Sequence, residues 1–254
     1  MDWLHTLPIG WLVVVVFSGT LLSAAAIWAL VVALASGDRA VDFGGVSSGL
    51  LPPMALIFSV LVGFLAAQVW SDGASAQAAV NREASSLRSV LLLSDAFPRQ
   101  ETQMRALIRR QIEVAVRSEW PKMARRNETL SIVPGPAAAA LQLALRLPAR
   151  TPGQIAAQRE ILSSLDSALD ARRQRIIVSE SSVNWAKWTA VVTLGILTLF
   201  AIAFVHGANR RAAAIATALF ACAIAVALLI IGVQDRPFSG PFRVKPTVLV
   251  QVEP

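Results

Sequence analysis

The sequence predicts an all-α membrane protein: four transmembrane helices, with a cytoplasmic helical insert between the second and third spans. Three observations carry that prediction. Four apolar windows of span length lie along the 254 residues. Only 15% of residues are charged, against ~25% in ordinary soluble domains. Between the second and third windows, residues 71–187 are polar, Arg-rich and helix-forming.

The windows are Ile9–Ala35, Leu50–Trp70, Trp188–Val205 and Ala212–Val233. Each is near the ~20 residues that cross a ~30 Å hydrocarbon core. The first is longer and accommodates by tilting. Its leading stretch "MDWLHTLP" has no Lys or Arg, and its apolar run is too long for a signal-peptide core, so it reads as an uncleaved span. The chain then divides into a first transmembrane hairpin (1–70), the insert (71–187), a second hairpin (188–233) and a C-terminal tail (234–254).

Orientation follows from charge. The insert holds 17 Lys+Arg and the tail 3, while the short loops 36–49 and 206–211 hold only Arg39, Arg210 and Arg211. The positive-inside rule places both termini and the insert in the cytoplasm, with Trp11, Trp70, Trp185 and Trp188 at the inner interface. The sequon Asn127-Glu128-Thr129 then has no role. The net charge of +7 reads as topology and attraction to anionic lipid, not as a nucleic-acid footprint.

In the insert, Val80, Leu87 and Leu91 form a stripe over 74–94 with no breaker after the second span, so one long helix leaves the membrane. Residues 101–120 carry Met104, Leu107, Ile108, Ile112 and Val116 at helical spacing, with i,i+4 pairs Glu101–Arg105 and Glu113–Arg117. Pro121 ends that helix. "SIVPGPAAAA" turns into a short Ala/Leu helix that "LPARTPG" closes. Thr151 is an N-cap for a helix carrying Ile155, Leu162, Leu165, Leu169 and Ile176, which runs on into the third span.

Catalytic and metal signatures are missing from the sequence. Cys222 is the single cysteine, and the two histidines, His5 and His206, lie far apart. There is no nucleotide-binding loop and no nucleophile beside a base. Asp166 and Asp170 share a helix face with Arg172 and Arg173 close by, which reads as a solvated charged face. No enzyme activity, metal or other cofactor is expected. None of the four spans contains Asp, Glu, Lys or Arg, which argues against proton-coupled transport. Ala213, Thr217, Ala221 and Ala225 recur every fourth residue in the last span and form a small-residue face for close helix packing. Four helices of one chain fill their own centre, so a pore requires several copies around an axis.

Two stretches resemble bestrophin channels. "LLPPMALIFSVLVGFLAAQVW" resembles their pore helix, with Pro52, Pro53, Phe58, Gly63 and Phe64 in the corresponding roles. "DRPFSG" resembles the Pro-Phe-Gly segment after their last span, with one extra residue. The ordered set "LVGF" (61–64), "EASSL" (83–87), "EWP" (119–121), "LDARRQR" (169–175) and "DRPFSG" (235–240) is similar to a bacterial bestrophin-like membrane protein family, a domain of unknown function. The resemblance implies a homopentamer with an axial pore lined by the second span. Phe64 matches the Phe of the Gly-Phe pair, and Val60 and Leu56 lie one and two turns earlier on the same face. Leu56, Val60 and Phe64 are therefore the expected apolar neck. Two departures stand out. The early prolines lie farther from Gly-Phe, and the acidic calcium-binding run of bestrophins is replaced by basic "PFRVKP".

The post-span segment is the second candidate. Asp235 and Arg236 mark the water interface, Pro237 stops the helix, and Gly240 with Pro241 makes a turn. Phe238 and Phe242 are expected to dock on the insert, and Asp235 to pair with one of its arginines as a clasp. The plainer reading is a helix stop without regulatory meaning. The resulting expectation is a homo-oligomeric ion channel of the bacterial inner membrane with an anion as the favoured permeant ion. The alternative is a non-conducting scaffold or sensor whose insert binds a partner protein or anionic lipid.

Overall fold

The computed structural model describes residues 8–34, 39–125, 130 and 133–252, with the backbone alone over 39–46. The sequon at 127–129 and His5 fall outside the described residues. Those residues form helices and no strands: α1 (Ile9–Leu34), α2 (Arg39–Ser94), α3 (Pro98–Val114), a π turn (Ala115–Glu119), α4 (Trp120–Ala124), α5 (Gly135–Leu145), α6 (Pro152–Glu180), α7 (Trp185–Val205), α8 (Arg210–Gln234) and α9 (Thr247–Val250). Four are long and apolar enough to cross a membrane: α1, α2 from Ser47 on, α7 and α8.

The chain divides into two compact units. One comprises 1–70 and 182–235, the other 71–181 and 236–254. The α2 helix is continuous between them, with Pro52 and Pro53 inside it.

In the first unit α1 packs on α7 and α8, and α7 packs on α8. Ala24, Ile27, Val31, Phe58, Leu65, Val191, Leu199, Ala221 and Ile224 form its core. The small residues of α8, Ala213, Thr217, Ala221 and Ala225, are all buried. Such residues let helix backbones approach closely where no hydrophobic effect drives association. Gly195 serves the same end on α7, where a Cβ would already touch Ile224 at 3.4 Å and Phe58 at 3.5 Å. Thr198 and Thr217 return their hydroxyls to the carbonyls of Leu194 and Ala213 one turn back, so neither needs a polar partner from another helix.

In the second unit α3 and α6 each pack on α5, and α4 packs on α6. Its core joins Val80, Leu87 and Leu91 of α2 to Met104, Ile108 and Ile112 of α3, Ile161, Leu165 and Ile176 of α6, and Phe238 and Leu249 near the C-terminus. The last stretch of chain is thus built into this core rather than standing apart as a tail. Thr151 caps α6 in a full capping box with Gln154, which satisfies two otherwise unpaired backbone N–H groups.

Three expectations are corrected. Residues 39–49 are not loop but the first turns of α2. Pro121 does not end its helix, which passes through the π turn into α4 with Pro121 in the first turn. A proline crowds the carbonyl four residues before it, and widening the coil there relieves that clash. Finally, α6 does not run into the third span. It stops at Glu180, and α7 starts afresh at Trp185 with Asn184 as its cap, the side chain accepting from the Ala186 N–H.

Candidate functional site

Leu56, Val60 and Phe64 lie on α2 at successive four-residue steps, so they share a face. They are 65%, 48% and 71% exposed. Phe58, Leu65 and Val69 on the same helix are buried, and Phe58 packs against Phe220 of α8 with ring centroids 5.8 Å apart. The α2 helix therefore turns one apolar face to α7 and α8 and leaves a second apolar face uncovered among the described residues. Gly63, beside Phe64, has nothing within 4 Å of where a Cβ would stand.

The post-span segment is ordered by hydrogen bonds. Asp235 is buried, and its Oδ1 accepts the Val183 backbone N–H at 2.6 Å. That bond ties the end of α8 to the start of α7. Arg236 is half-buried and Pro237 buried. The Pro237 carbonyl accepts the Val244 N–H at 2.7 Å, closing a loop that turns at Gly240 with φ of 78°. A β-carbon is strained at that angle, so glycine suits it. Of the two aromatics expected to dock, only Phe238 does, edge-on to Trp120 at 5.8 Å and 82°. Phe242 is exposed, because the turn at Gly240 closes between them.

The sequence reading passed over the most unusual feature of the second unit. Four charged side chains meet in its interior. Glu83 comes from α2, Glu119 ends the π turn, and Arg172 and Arg175 lie one turn apart on α6. Arg175 is wholly buried and Glu83 is 2% exposed. Their contact is a two-pronged fork, with Arg175 Nε donating to Glu83 Oε2 at 2.7 Å and Nη2 to Oε1 at 3.1 Å. Arg175 Nη2 also donates to Glu119 Oε2 at 2.7 Å, and Arg172 Nε donates to Glu119 Oε1 at 2.7 Å. Nη1 reaches the Met123 sulfur at 3.3 Å. Such forks suit the planar guanidinium and not a lysine.

Two positive and two negative groups balance, which is what a buried charge requires. Burial, the largest influence, pushes the Glu83 carboxyl above its ordinary value against the pull of Arg175, with Glu119 pushing it further up. For Arg175 burial works toward a lower value, but Glu83 and Glu119 together outweigh it and hold the guanidinium charged.

The guanidinium also lies over the Trp120 ring, 4.6 Å from its centroid, a cation–π contact. Trp120 in turn donates its Nε1–H to the Val244 carbonyl at 3.2 Å and takes the edge contact with Phe238. The charged cluster and the C-terminal segment are thus joined through one indole. Residues from four of the motifs quoted above converge here: Glu83, Glu119 with Trp120, Arg172 with Arg175, and Phe238.

The signal for this cluster was the helical stripe itself. Glu83 continues the series Ala76, Val80, Leu87. Glu119 continues Met104, Ile108, Ile112, Ala115. Arg172 and Arg175 continue Ile161, Leu165, Ala168. A charge at a core position of a stripe marks a buried pair. Arg173 and Asp170, by contrast, form an exposed pair at 2.7 Å, as the solvated-face reading expects, but that reading is corrected for Arg172, which is buried and paired with Glu119. Among the described residues no three His, Cys, Asp or Glu side chains gather as metal ligands, and both carboxylates of the cluster are engaged by arginine.

The family model of the bestrophin-like domain matches residues 13–249. No curated protein and no solved structure matches the chain.

Proposed function

The chain belongs to the bestrophin-like family, and from that premise we propose that it is an ion channel: a homo-oligomer, pentameric as in bestrophins, with its pore lined by α2 and narrowed at Leu56, Val60 and Phe64. The observation that carries this reading is the second apolar face of α2, which includes a 71% exposed phenylalanine and which the other described residues leave uncovered. A ring of such faces around an axis makes an apolar constriction, which gates by dewetting.

Anions are the favoured permeant ion, because residues 71–187 carry 17 Lys+Arg and a basic vestibule concentrates anions. We place the protein in the bacterial inner membrane with both termini and residues 71–187 cytoplasmic, following its charge distribution, and we assign it no catalytic role. The test is planar-bilayer recording of the purified protein and of Phe64→Ala, with the particle mass measured in detergent. Currents that change in the variant, from a particle of several chains, support the channel. A silent oligomer supports the scaffold or sensor, and a silent monomer removes the axial pore.

A further inference from the structure

Beside the charged cluster lies a cavity of about 10 Å³, close to the smallest space that admits a water. Glu83, Leu87, Ile108, Gln111, Ala168 and Arg172 line it. Gln111 is buried, and its Oε1 has no hydrogen-bond partner among the described residues. A buried amide oxygen left without a donor is costly, and internal waters are found where such groups face a space of this size. One water there would donate to Gln111 Oε1 and to the Glu83 carboxylate, and accept from the Arg172 guanidinium.

We infer that the cavity holds a single water and that Glu83 takes up a proton through it as the pH falls, leaving the cluster with a net positive charge that loosens its hold on the C-terminal segment 236–252. The groups that face Glu83 are Arg172 and Arg175 from α6, Glu119 from the π turn and, as a neutral amide, Gln111 from α3. With both glutamates ionised these charges cancel. Once Glu83 is neutral, the two guanidinium groups share Glu119 alone. Arg175 stays charged, and its excess charge sits against Trp120, which holds both Phe238 and the Val244 carbonyl.

The direction agrees with linkage. Acid favours whichever state binds the proton more tightly. If Arg175 moves away while Glu83 stays buried, Glu83 loses the charge that pulls its carboxyl down, and the released state becomes the better proton acceptor. Burial already raises Glu83 in the docked state, so the transition falls above the ordinary carboxylate range. None of this depends on whether the protein conducts ions.

The experiment uses the full chain in lipid nanodiscs across a series of pH values. Infrared spectroscopy reads the protonated carboxyl of Glu83 as a band missing from Glu83→Gln. Hydrogen–deuterium exchange, corrected for intrinsic pH dependence, reads the protection of 236–252. The expected result is a Glu83 band that grows as the pH falls, with tail protection dropping at least tenfold over the same range. Glu83→Gln should show low protection at every pH. Gln111→Leu, which fills the cavity and displaces the water that donates to the ionised Glu83 carboxylate, should shift the wild-type transition to higher pH. A Glu83 band that appears only within or below the ordinary carboxylate range overturns the inference. So does a band whose growth leaves tail exchange unchanged, or a Gln111→Leu protein that titrates like wild type. Should Glu83→Gln fail to fold, the wild-type band can be identified against Glu83→Asp, and coincidence of the two wild-type curves decides the matter.

Discussion

Replacing Arg175 with methionine should cost about 3–5 kcal/mol of stability, the usual penalty for removing one partner of a buried ion pair. Methionine keeps much of the stem's bulk, so the loss is electrostatic more than steric. Glu119 keeps Arg172 at 2.7 Å, but Glu83 loses the guanidinium that forks onto its carboxylate and is left buried without that partner. The Trp120 ring also loses its cation. At ~1.4 kcal/mol per tenfold, the unfolded fraction should rise at least a hundredfold.

The sign of the pH dependence is specific. A carboxyl whose folded pKa is raised contributes stability that is present below its unfolded pKa and lost as the pH rises through the folded one. Glu83 is already raised, and without Arg175 it rises further. The penalty of the substitution should therefore be largest above neutrality and shrink in acid, where Glu83 is protonated. Adding Glu83→Gln to Arg175→Met removes the stranded charge and should recover at least half of the loss. The assay is chemical unfolding of the detergent-solubilised chain, read by tryptophan fluorescence. A loss under about 1 kcal/mol, a penalty that does not change with pH, or strict additivity of the two substitutions would refute the reasoning.

Other substitutions probe single contacts. Trp120→Phe keeps a ring for Phe238 and Arg175 but strands the Val244 carbonyl, at a cost of about 1–3 kcal/mol, with faster hydrogen exchange confined to the C-terminal segment. Asp235→Ala removes the acceptor of the Val183 N–H and should cost a similar ~1–3 kcal/mol, read as a lower midpoint of thermal unfolding. Ala221→Leu places a large side chain where none of the native residue is exposed. Overpacking of ~1–3 kcal/mol should show as a broadened gel-filtration profile in detergent. Thr151→Ala breaks the capping box of α6 and should cost ~0.5–2 kcal/mol in the same unfolding assay.

The membrane helices were legible because composition alone decides them. No charged residue interrupts Leu50–Trp70 or Ala212–Val233, and only a membrane or a deep core accepts such runs. The small-residue face of α8 was legible for the same reason, since its four-residue repeat survives any tertiary arrangement. The charged cluster was not. "DARRQR" mixes exposed Arg173, paired locally with Asp170, and buried Arg172 and Arg175, whose partners lie 53 and 92 residues away in sequence. Local reading sees only the run of charge. The π turn escaped too, because a proline preceded by a continuous stripe reads equally well as a helix end. The stop between α6 and α7 was available in Asn184, a capping residue ahead of Trp185, but the apolar pattern on either side masked it.

The central proposal is that Leu56, Val60 and Phe64 face a shared aqueous path rather than lipid. Exposure alone does not separate the two, but chemistry does, since a thiol in hydrocarbon does not ionise and stays inert to charged reagents. The direct measurement replaces Cys222 with alanine, places single cysteines at positions 56, 58, 60, 64 and 65, and follows current during exposure to a charged thiol reagent in bilayers. The account expects modification at 56, 60 and 64 to alter the current and positions 58 and 65 to stay silent. Silence at 56, 60 and 64 in a conducting protein, or reaction at 58 and 65 instead, would contradict it.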